Sequence, residues 1–306
     1  MLNTEPELHV ACAVIRRDHH LLLSRRLDSA HQGGLWEFPG GKVERDETPA
    51  QALVRELREE LGIAVLTSRF RFQIPWDYGD RVVRLWVFDV DAFHGEPEGL
   101  EGQWVRWVPD AELTHYDFPE ANTAIVETLN LPRIARFYDP SLGCPERWLM
   151  AWKPPALLYF RGLTVVSEVE ALVTGALTLG HHVILPLDQH HLWRDGVGLH
   201  RRKHDPRALA TKALAHCPGA WPLTAGCRSL QDWRAQADWP AHAWFVSPVL
   251  PTKSHPALEP LGWGTFTEIA RQTARPCYAL GGVTPDHLAQ TQLAEGFGVA
   301  GIRGFQ

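Results

Sequence analysis

Three carboxylates, Glu56, Glu59 and Glu60, stand at i, i+3 and i+4 in the run Thr48-Pro-Ala-Gln-Ala-Leu-Val-Arg55-Glu56-Leu-Arg-Glu59-Glu60-Leu-Gly62. On a helix that spacing puts all three on one face, about one turn apart. Like charges so close repel. A hard divalent cation with oxygen ligands, Mg²⁺ or Mn²⁺, turns the repulsion into a binding site that a phosphate-rich substrate can complete. A solvated acidic surface helix would carry the same three residues, so their surroundings have to discriminate. The helix is legible at both ends. Thr48 suits the N-cap, Pro49 the first helical position and Gly62 the left-handed residue past the end, which predicts a helix over 49–61. Ala52, Leu53, Leu57 and Leu61 supply the apolar stripe that holds it on a core.

The wider spacing is more specific than the carboxylates alone. Gly41, five residues, Glu47, seven residues and then Arg55-Glu56-Leu-x-Glu59-Glu60-x-Gly62-Ile63 match the fixed positions of the Nudix box. This stretch resembles the metal-binding loop and helix of a Nudix hydrolase, a family that cleaves nucleoside diphosphates linked to a further group. From about Leu8 to Leu129 the chain is similar to MutT-type 8-oxo-dGTP diphosphatases. The similarity includes Arg25-Arg26, Trp36-Glu-Phe-Pro-Gly-Gly-Lys42, Asp80-Arg81 ahead of Leu85-Trp86, Gly95-Glu-Pro, Glu101-Gly-Gln and Phe118-Pro-Glu-Ala-Asn122. The resemblance implies metal ligation by the Gly40 carbonyl and by Glu56, Glu59, Glu60 and Glu101. It also implies that Phe38 packs by the base, that Arg26 and Arg81 line the nucleotide pocket, and that Asn122 reads the purine edge.

Those roles are chemically coherent. A carboxamide is both donor and acceptor, and 8-oxoguanine has a protonated N7 where guanine has a lone pair, so Asn122 can tell the two apart. An aromatic ring at Phe38 would add affinity without choosing a base. Cations held by the carboxylates would screen the phosphates and acidify a water. Attack by that water on phosphorus releases a nucleoside monophosphate and pyrophosphate, at the β-phosphorus in MutT-like enzymes. Glu56 or Glu101 can accept the proton as general base. Arg55 is placed to orient the glutamates through charge-assisted hydrogen bonds rather than to touch substrate.

At 306 residues the chain is long for one domain and comfortable for two. With 45% hydrophobic and 22% charged residues it has a soluble globular composition, with no membrane-length apolar run and no signal peptide. Its five cysteines are scattered without a paired metal spacing, and they read as reduced thiols in a cytoplasmic protein. Residues 1–131 carry 13 Lys and Arg against 23 Asp and Glu, a net of −10, while residues 132–306 carry 17 against 13, a net of +4. The acidic half suits a cation and a small nucleoside triphosphate, and excludes a duplex nucleic-acid surface there. Nothing in the composition specifies an oligomeric state.

The elements that must position these groups follow from alternation and punctuation. Strands are predicted over 8–15, 21–24, 69–74, 82–90 and 103–108, with helices over 110–113 and 120–129 after the acidic one. Together they form an α/β/α sandwich with a mixed sheet over residues 1–131. Past Asn130-Leu-Pro-Arg133 the texture changes to strands over 134–138, 156–160, 182–187, 196–200, 221–225, 243–247, 276–280 and 298–302. Helices are predicted between them over 167–179, 206–216, 229–237, 265–273 and 285–295. Eight such repeats over 132–306 describe a (β/α)₈ TIM-type barrel with shortened helices, irregular over 188–195.

The last third has its own resemblance. Ser247-Pro-Val-Leu-Pro-Thr-Lys-Ser-His-Pro256, Leu261-Gly-Trp, Tyr278-Ala-Leu-Gly-Gly-Val283 and Gly298-Val-Ala-Gly-Ile-Arg-Gly304 are similar to the thiamine-phosphate synthase and TenI family. That implies phosphate binding by Gly281, Gly282, Gly301 and Ile302, and a diphosphate contact at Thr252. The catalytic positions depart from the pattern. Tyr159-Phe-Arg-Gly-Leu163 keeps the arginine of Gln-Leu-Arg-x-Lys and loses the lysine. Asp188 matches a first metal-binding aspartate, but the second falls near Lys203, and the TenI histidine aligns with Arg228. A barrel with a phosphate cradle but without these groups points to a ligand-binding or structural module. His181-His182 and His190-His191 match no metal spacing, and the 13 tryptophans read as packing.

Three readings stand. The first is an 8-oxo-dGTP-hydrolysing enzyme with an appended phosphate-ligand barrel. The second is a Nudix hydrolase of another pyrophosphate, such as a thiamine-pathway intermediate. The third makes the barrel a regulatory ligand module or a residual synthase or tautomerase.

Overall fold

A computed structural model describes residues 7–28, 32–79, 81–236, 238–252 and 257–305. The chain divides into two compact units, one running to Leu129 and including Arg271–Ala274, the other covering Asn130–Ala270 and the chain from Arg275 onward.

In the first unit, β1 (Leu8–Arg17) and β2 (His20–Arg25) are joined by a tight turn, followed by β3 (Trp36–Glu37), α1 (Pro49–Leu61), β4 (Ala64–Asp77), β5 (Val82–His94), β6 (Trp104–Pro109) and α2 (Glu120–Thr128). The sheet runs β3-β2-β1-β5-β4, and β6 pairs with β2. Strand β1 lies parallel to β5 from Leu8 opposite Val83 to Ile15 opposite Val90, whereas β4 and β5 are antiparallel. This mixed sheet is covered on both faces, which is why Ala11–Ile15 is a continuous buried run rather than an alternating one. On one face Leu53, Leu57 and Leu61 of α1 pack with Ala11, Ala13 and Ile15; on the other, Ala121, Ala124 and Ile125 of α2 pack with Cys12, Val14 and Phe72. Each buried leucine is worth roughly 1.5–3 kcal/mol of transfer free energy.

The second unit is a closed barrel of eight parallel strands: β7 (Ile134–Tyr138), β8 (Leu157–Phe160), β9 (His182–Pro186), β10 (Val197–Arg201), β11 (Leu223–Cys227), β12 (Ala243–Val246), β13 (Cys277–Leu280) and β14 (Gly298–Gly301), which pairs back to β7. Outside lie α3 (Pro145–Met150), α4 (Val166–Thr178), α5 (Arg207–His216), α6 (Leu230–Arg234), α7 (Gly262–Gln272) and α8 (Leu288–Leu293). Alternate strand residues face inward, where Phe137, Tyr159, Phe245 and Tyr278 form an aromatic core. Their neighbours Leu158, Phe160 and Val246 face out against Val169, Leu172 and Phe266 of the helices.

Several expected boundaries move. Strand β3 lies where a connecting segment was expected, because two residues suffice to pair Glu37 with Ser24 and Trp36 with Arg25. Strand β4 begins at Ala64 rather than Arg69, its early part carried through register shifts between Val65 and Ser68 that alternation alone does not display. The helix expected over 229–237 ends at Arg234, and Ala237 lies outside the described residues. That expected over 265–273 starts at Gly262. The one over 285–295 splits into a 3₁₀ turn at Pro285–His287 and α8. Helix α3 was not expected. The irregular stretch after the third barrel strand is a 3₁₀ segment, Leu187–Leu192. All five cysteines are free thiols, and no helix of the described residues is long and apolar enough to cross a membrane.

Candidate active site

Helix α1 holds its carboxylates because its start is doubly capped. The Thr48 side chain accepts from the Gln51 amide and the Gln51 side chain accepts from the Thr48 amide, while Gly62 ends the helix at φ 68°. The loop ahead of it is zipped onto β1: Ala13 donates to the Pro39 carbonyl at 2.8 Å, Ala11 to Gly41 at 2.9 Å and Val43 to His9 at 2.9 Å. The carbonyl of Gly40, between two engaged ones, takes no part in that ladder. A Cβ at Gly40 would strike the Ala11 backbone, and one at Gly41 would run into the Glu56 carboxylate. The double glycine therefore lets a backbone loop lie directly against an acidic side chain.

Glu101 arrives from far along the chain. Leu100 donates to the Glu60 carbonyl at 2.9 Å, Glu98 to Leu61 at 3.1 Å and the Gln103 side chain to Glu60 at 3.0 Å. Gln103 also receives the Glu101 amide at 2.9 Å. The end of α1 thus anchors the loop that brings Glu101 within electrostatic reach of Glu56 and Glu60.

Arg55 is the organiser. Its guanidinium donates to Glu47 at 2.6 Å, to the Lys42 carbonyl at 3.0 Å and to Glu59 at 3.0 Å, and it lies 3.0 Å from Glu56. These contacts tie Arg55 to two of the three helix carboxylates and to the loop ahead of the helix. Among the described residues no group of three His, Cys, Asp or Glu side chains stands in a ready-made metal-holding arrangement.

The electrostatics nevertheless fit a cation. Burial, then Glu56, Glu37 and Glu101, pushes Glu60 up to about 8. Burial also raises Glu56, against the lowering pull of Arg55, with Glu59 and Glu101 adding to the rise. A carboxyl so raised by burial and neighbouring acids gains most when a positive charge enters. The donors are all oxygens, and the residues present suit a hard divalent ion.

The expected nucleotide-binding residues are placed unevenly. Asn122 lies in the first turn of α2, 7% exposed, and its carboxamide takes no hydrogen bond from the described residues. Arg26 donates to Glu37 at 2.8 Å. Phe38 is 2% exposed and stacked on Phe118 at 5.9 Å, so it sits in the core with no open face for a base. Arg81 is exposed, and Asp80 beside it lies outside the described residues. Two further residues border this region. Burial raises Glu37 to about 7, opposed by Arg26. Tyr78, raised by burial, hydrogen-bonds the Ala121 backbone next to Asn122 and feels Arg26 and Glu37. Glu37 was visible in the quoted Trp36-Glu-Phe-Pro segment, but its link to Arg26 appears only once β3 pairs with β2.

The barrel has a cavity of about 950 Å³ lined by Thr252, Gly281, Gly282, Gly301 and Ile302. Those residues come together as expected, while Lys253–Pro256 lie outside the described residues. The synthase metal position is filled differently. Arg202 donates to Asp188 and to Asp205, each at 2.8 Å, and Lys203 pairs with Asp232 at 2.9 Å. Arg228 is exposed beside the cavity. His190 bonds the Leu187 carbonyl at 2.8 Å, consistent with a structural histidine.

Residues 10–128 match the NUDIX domain family model, and residues 195–305 match the thiamine monophosphate synthase model. Over 124 residues the chain is 39% identical to the 8-oxo-dGTP diphosphatase of Escherichia coli K12, covering 40% of this chain and 96% of that one. It is also 39% identical over 132 residues to the CTP pyrophosphohydrolase of the same organism, covering 43% and 98%. A solved structure of MutT, from work on Aliivibrio salmonicida and Vibrio cholerae, shares 36% identity at a TM-score of 0.35, covering 40% of this chain and 94% of that one. The chain belongs to the Nudix hydrolase family through its N-terminal unit, and carries a thiamine-phosphate synthase-type barrel as its C-terminal one.

Proposed function

We propose that residues 1–131 hydrolyse 8-oxo-dGTP to 8-oxo-dGMP and pyrophosphate with Mg²⁺, clearing an oxidised nucleotide before it can mispair. Residues 132–306 are a non-catalytic barrel that binds a phosphate-bearing ligand. The observation that carries the first part is the acidic cluster around Glu60, packed against the double-glycine loop.

The Gly40 carbonyl, Glu56, Glu59, Glu60 and Glu101 would hold the cation. When bound it would screen the phosphate charge and make an attacking water more acidic. Arg55 keeps Glu56 and Glu59 turned toward one side of α1, so little side-chain freedom is lost as substrate arrives. Either Glu56 or Glu101 takes the proton from the water. Glu56 is wedged against Gly41 and Arg55, whereas Glu101 rides on a loop, and comparing Glu56→Gln with Glu101→Gln separates the two assignments. Asn122 accepts from the protonated N7 of the oxidised purine and donates to its O6.

Pyrophosphate release from a panel of triphosphates tests this reading. 8-oxo-dGTP should exceed dGTP in kcat/KM by at least tenfold, the effect of one well-placed hydrogen-bonded pair. Asn122→Ala should erase that preference while changing the rate on dGTP much less. Equal turnover of the two purines would refute the base-reading assignment. A second reading, hydrolysis of a pyrimidine triphosphate, has specific support in the equal identity to the CTP pyrophosphohydrolase, and CTP belongs in the panel.

A further inference from the structure

Among the histidines that the proposed chemistry does not use, two come together from different elements. His190 lies in the 3₁₀ segment Leu187–Leu192 after β9, and His216 in the last turn of α5. Their ring centroids are 5.4 Å apart, with the planes at 89°. The helix comes this close because its inward stripe is small. Ala210 and Ala213 are buried on it, and Cys217 just past its end joins the same core cluster as Leu187. The Cys217 thiol donates to the His190 carbonyl at 3.4 Å, and the Trp193 amide donates to the same oxygen at 3.1 Å. The segment is thereby pinned to the end of α5, and the spacing of the two imidazoles is built into the packing.

The Leu187 bond that makes His190 look structural also sets its tautomer. A carbonyl can only accept, so Nδ1 carries the proton, 2.8 Å from the Leu187 oxygen, and in the neutral ring Nε2 keeps its lone pair. Histidines that ligate metals are held in this way, one nitrogen donating to a carbonyl and the other turned to the ion. His190 Nε2 has no hydrogen-bond partner among the described residues, and neither has the exposed ring of His216. Two imidazoles on one tetrahedral ion, with metal–nitrogen distances of about 2.0–2.1 Å, place their ring centroids roughly 5–6 Å apart. The observed separation falls in that range. His191 stands 6.2 Å from His190 on the same segment, but no three such side chains gather among the described residues, so the geometry offers two ligands and solvent.

We propose that His190 Nε2 and His216 bind a borderline divalent ion of the zinc, nickel and copper class, with water filling the remaining positions. Imidazole nitrogen suits those ions, whereas Mg²⁺ prefers oxygen and keeps its water. The pair is therefore chemically distinct from the carboxylates of α1. Its ligands come from the segment after β9 and from α5, so a bound ion ties two elements of the barrel wall together and stabilises the folded form by mass action. Neither hydrolysis by the first unit nor a ligand inside the barrel is needed for this site.

The test uses the full chain with ¹⁵N-labelled histidine and Mg²⁺ in excess over Zn²⁺, which keeps oxygen-lined sites with the harder ion. Resonances are assigned by their absence in His216→Ala and in His190→Asn, whose amide can still donate to Leu187. On adding Zn²⁺, His190 Nε2 and one nitrogen of His216 should move together with a single midpoint, while Mg²⁺ alone moves neither. In His216→Ala the His190 midpoint should rise about tenfold or more, the loss of one of two ligands, whereas His191→Ala should leave it within about twofold. His216 is exposed, so this variant keeps the fold. Zn²⁺ should also raise Tm more in the parent chain than in His216→Ala. Separate midpoints for the two rings, or a His190 response that survives His216→Ala, would mean that the rings only pack edge to face, and overturns the site. A response lost in His191→Ala instead overturns the choice of His216 as the second ligand. Absence of any shift at either ring with Zn²⁺ overturns the proposal outright.

Discussion

Glu60 shows how the chemistry of this protein resides in single side chains. Its carboxyl is pushed up to about 8 by burial and then by Glu56, Glu37 and Glu101. In the unfolded chain it titrates near 4.5, so between those values the native state binds more protons and the cluster loses stability as pH rises. A divalent cation reverses the balance by favouring the ionised form. The rise in Tm on adding Mg²⁺ should therefore be larger at pH 8.5 than at pH 6, which differential scanning fluorimetry checks directly. An equal shift at both values would mean that the ion binds elsewhere. In the proposed reaction Arg55 would act through the same groups without touching substrate. Arg55→Ala should lower kcat about 10–100-fold, as loss of a group that orients metal ligands does. Raising the Mg²⁺ concentration should restore part of the rate, an outcome that damage to the base pocket would not give.

Helix α1 and the segments tied to it make those side chains a site. Its reciprocal cap, Thr48 with Gln51, stabilises the end nearest the glycine loop, and its last turn anchors the loop bearing Glu101. Removing the cap with Thr48→Ala should cost about 1 kcal/mol in chemical denaturation. Because the hydroxyl is remote from the carboxylates, kcat should stay within about twofold of the parent. The short strand β3 is equally consequential, since its pairing with β2 turns Glu37 toward Arg26 and carries the chain into Pro39-Gly40-Gly41.

For the molecule as a whole, the two units carry opposite charge balance, and in the proposed functions the first would gather carboxylates around a cation while the second would offer glycine turns and arginines to a phosphate. The barrel also has an acid-sensitive interior. His200 is lowered to about 4 chiefly by burial, and burial likewise lowers His181 and His182. A histidine with a depressed native pKa contributes stability that is fully present above its unfolded value near 6.5 and is lost as pH falls toward 4. For His200 alone the loss is on the order of 3 kcal/mol at its limit. Between pH 7.5 and 4.5 these histidines oppose the raised glutamates of the first unit, so the measurable effect is a difference: on acidification over that range the parent chain should lose more Tm, or gain less, than His200→Leu. An unchanged slope in the variant would assign the acid sensitivity to other groups.

Short-range information was enough for α1, its caps, the carboxylate face and the barrel repeat, because each depends on residues within a few turns of one another and on hydrophobic periodicity. The contacts of Arg55 with glutamates were also legible, since those partners lie on its own helix and on the adjoining loop. What separate strands bring together was not. Glu37 against Arg26, Gln103 holding the loop of Glu101, Tyr78 beside Asn122, and Arg202 between Asp188 and Asp205 all depend on pairing or loop docking that one-dimensional spacing does not encode. The stacking of Phe38 on Phe118 was not legible for the same reason, as the two rings lie on segments far apart in sequence. The barrel core is the clearest case: Tyr159 and His200 come from strands 41 positions apart, and ring closure makes both face the same interior.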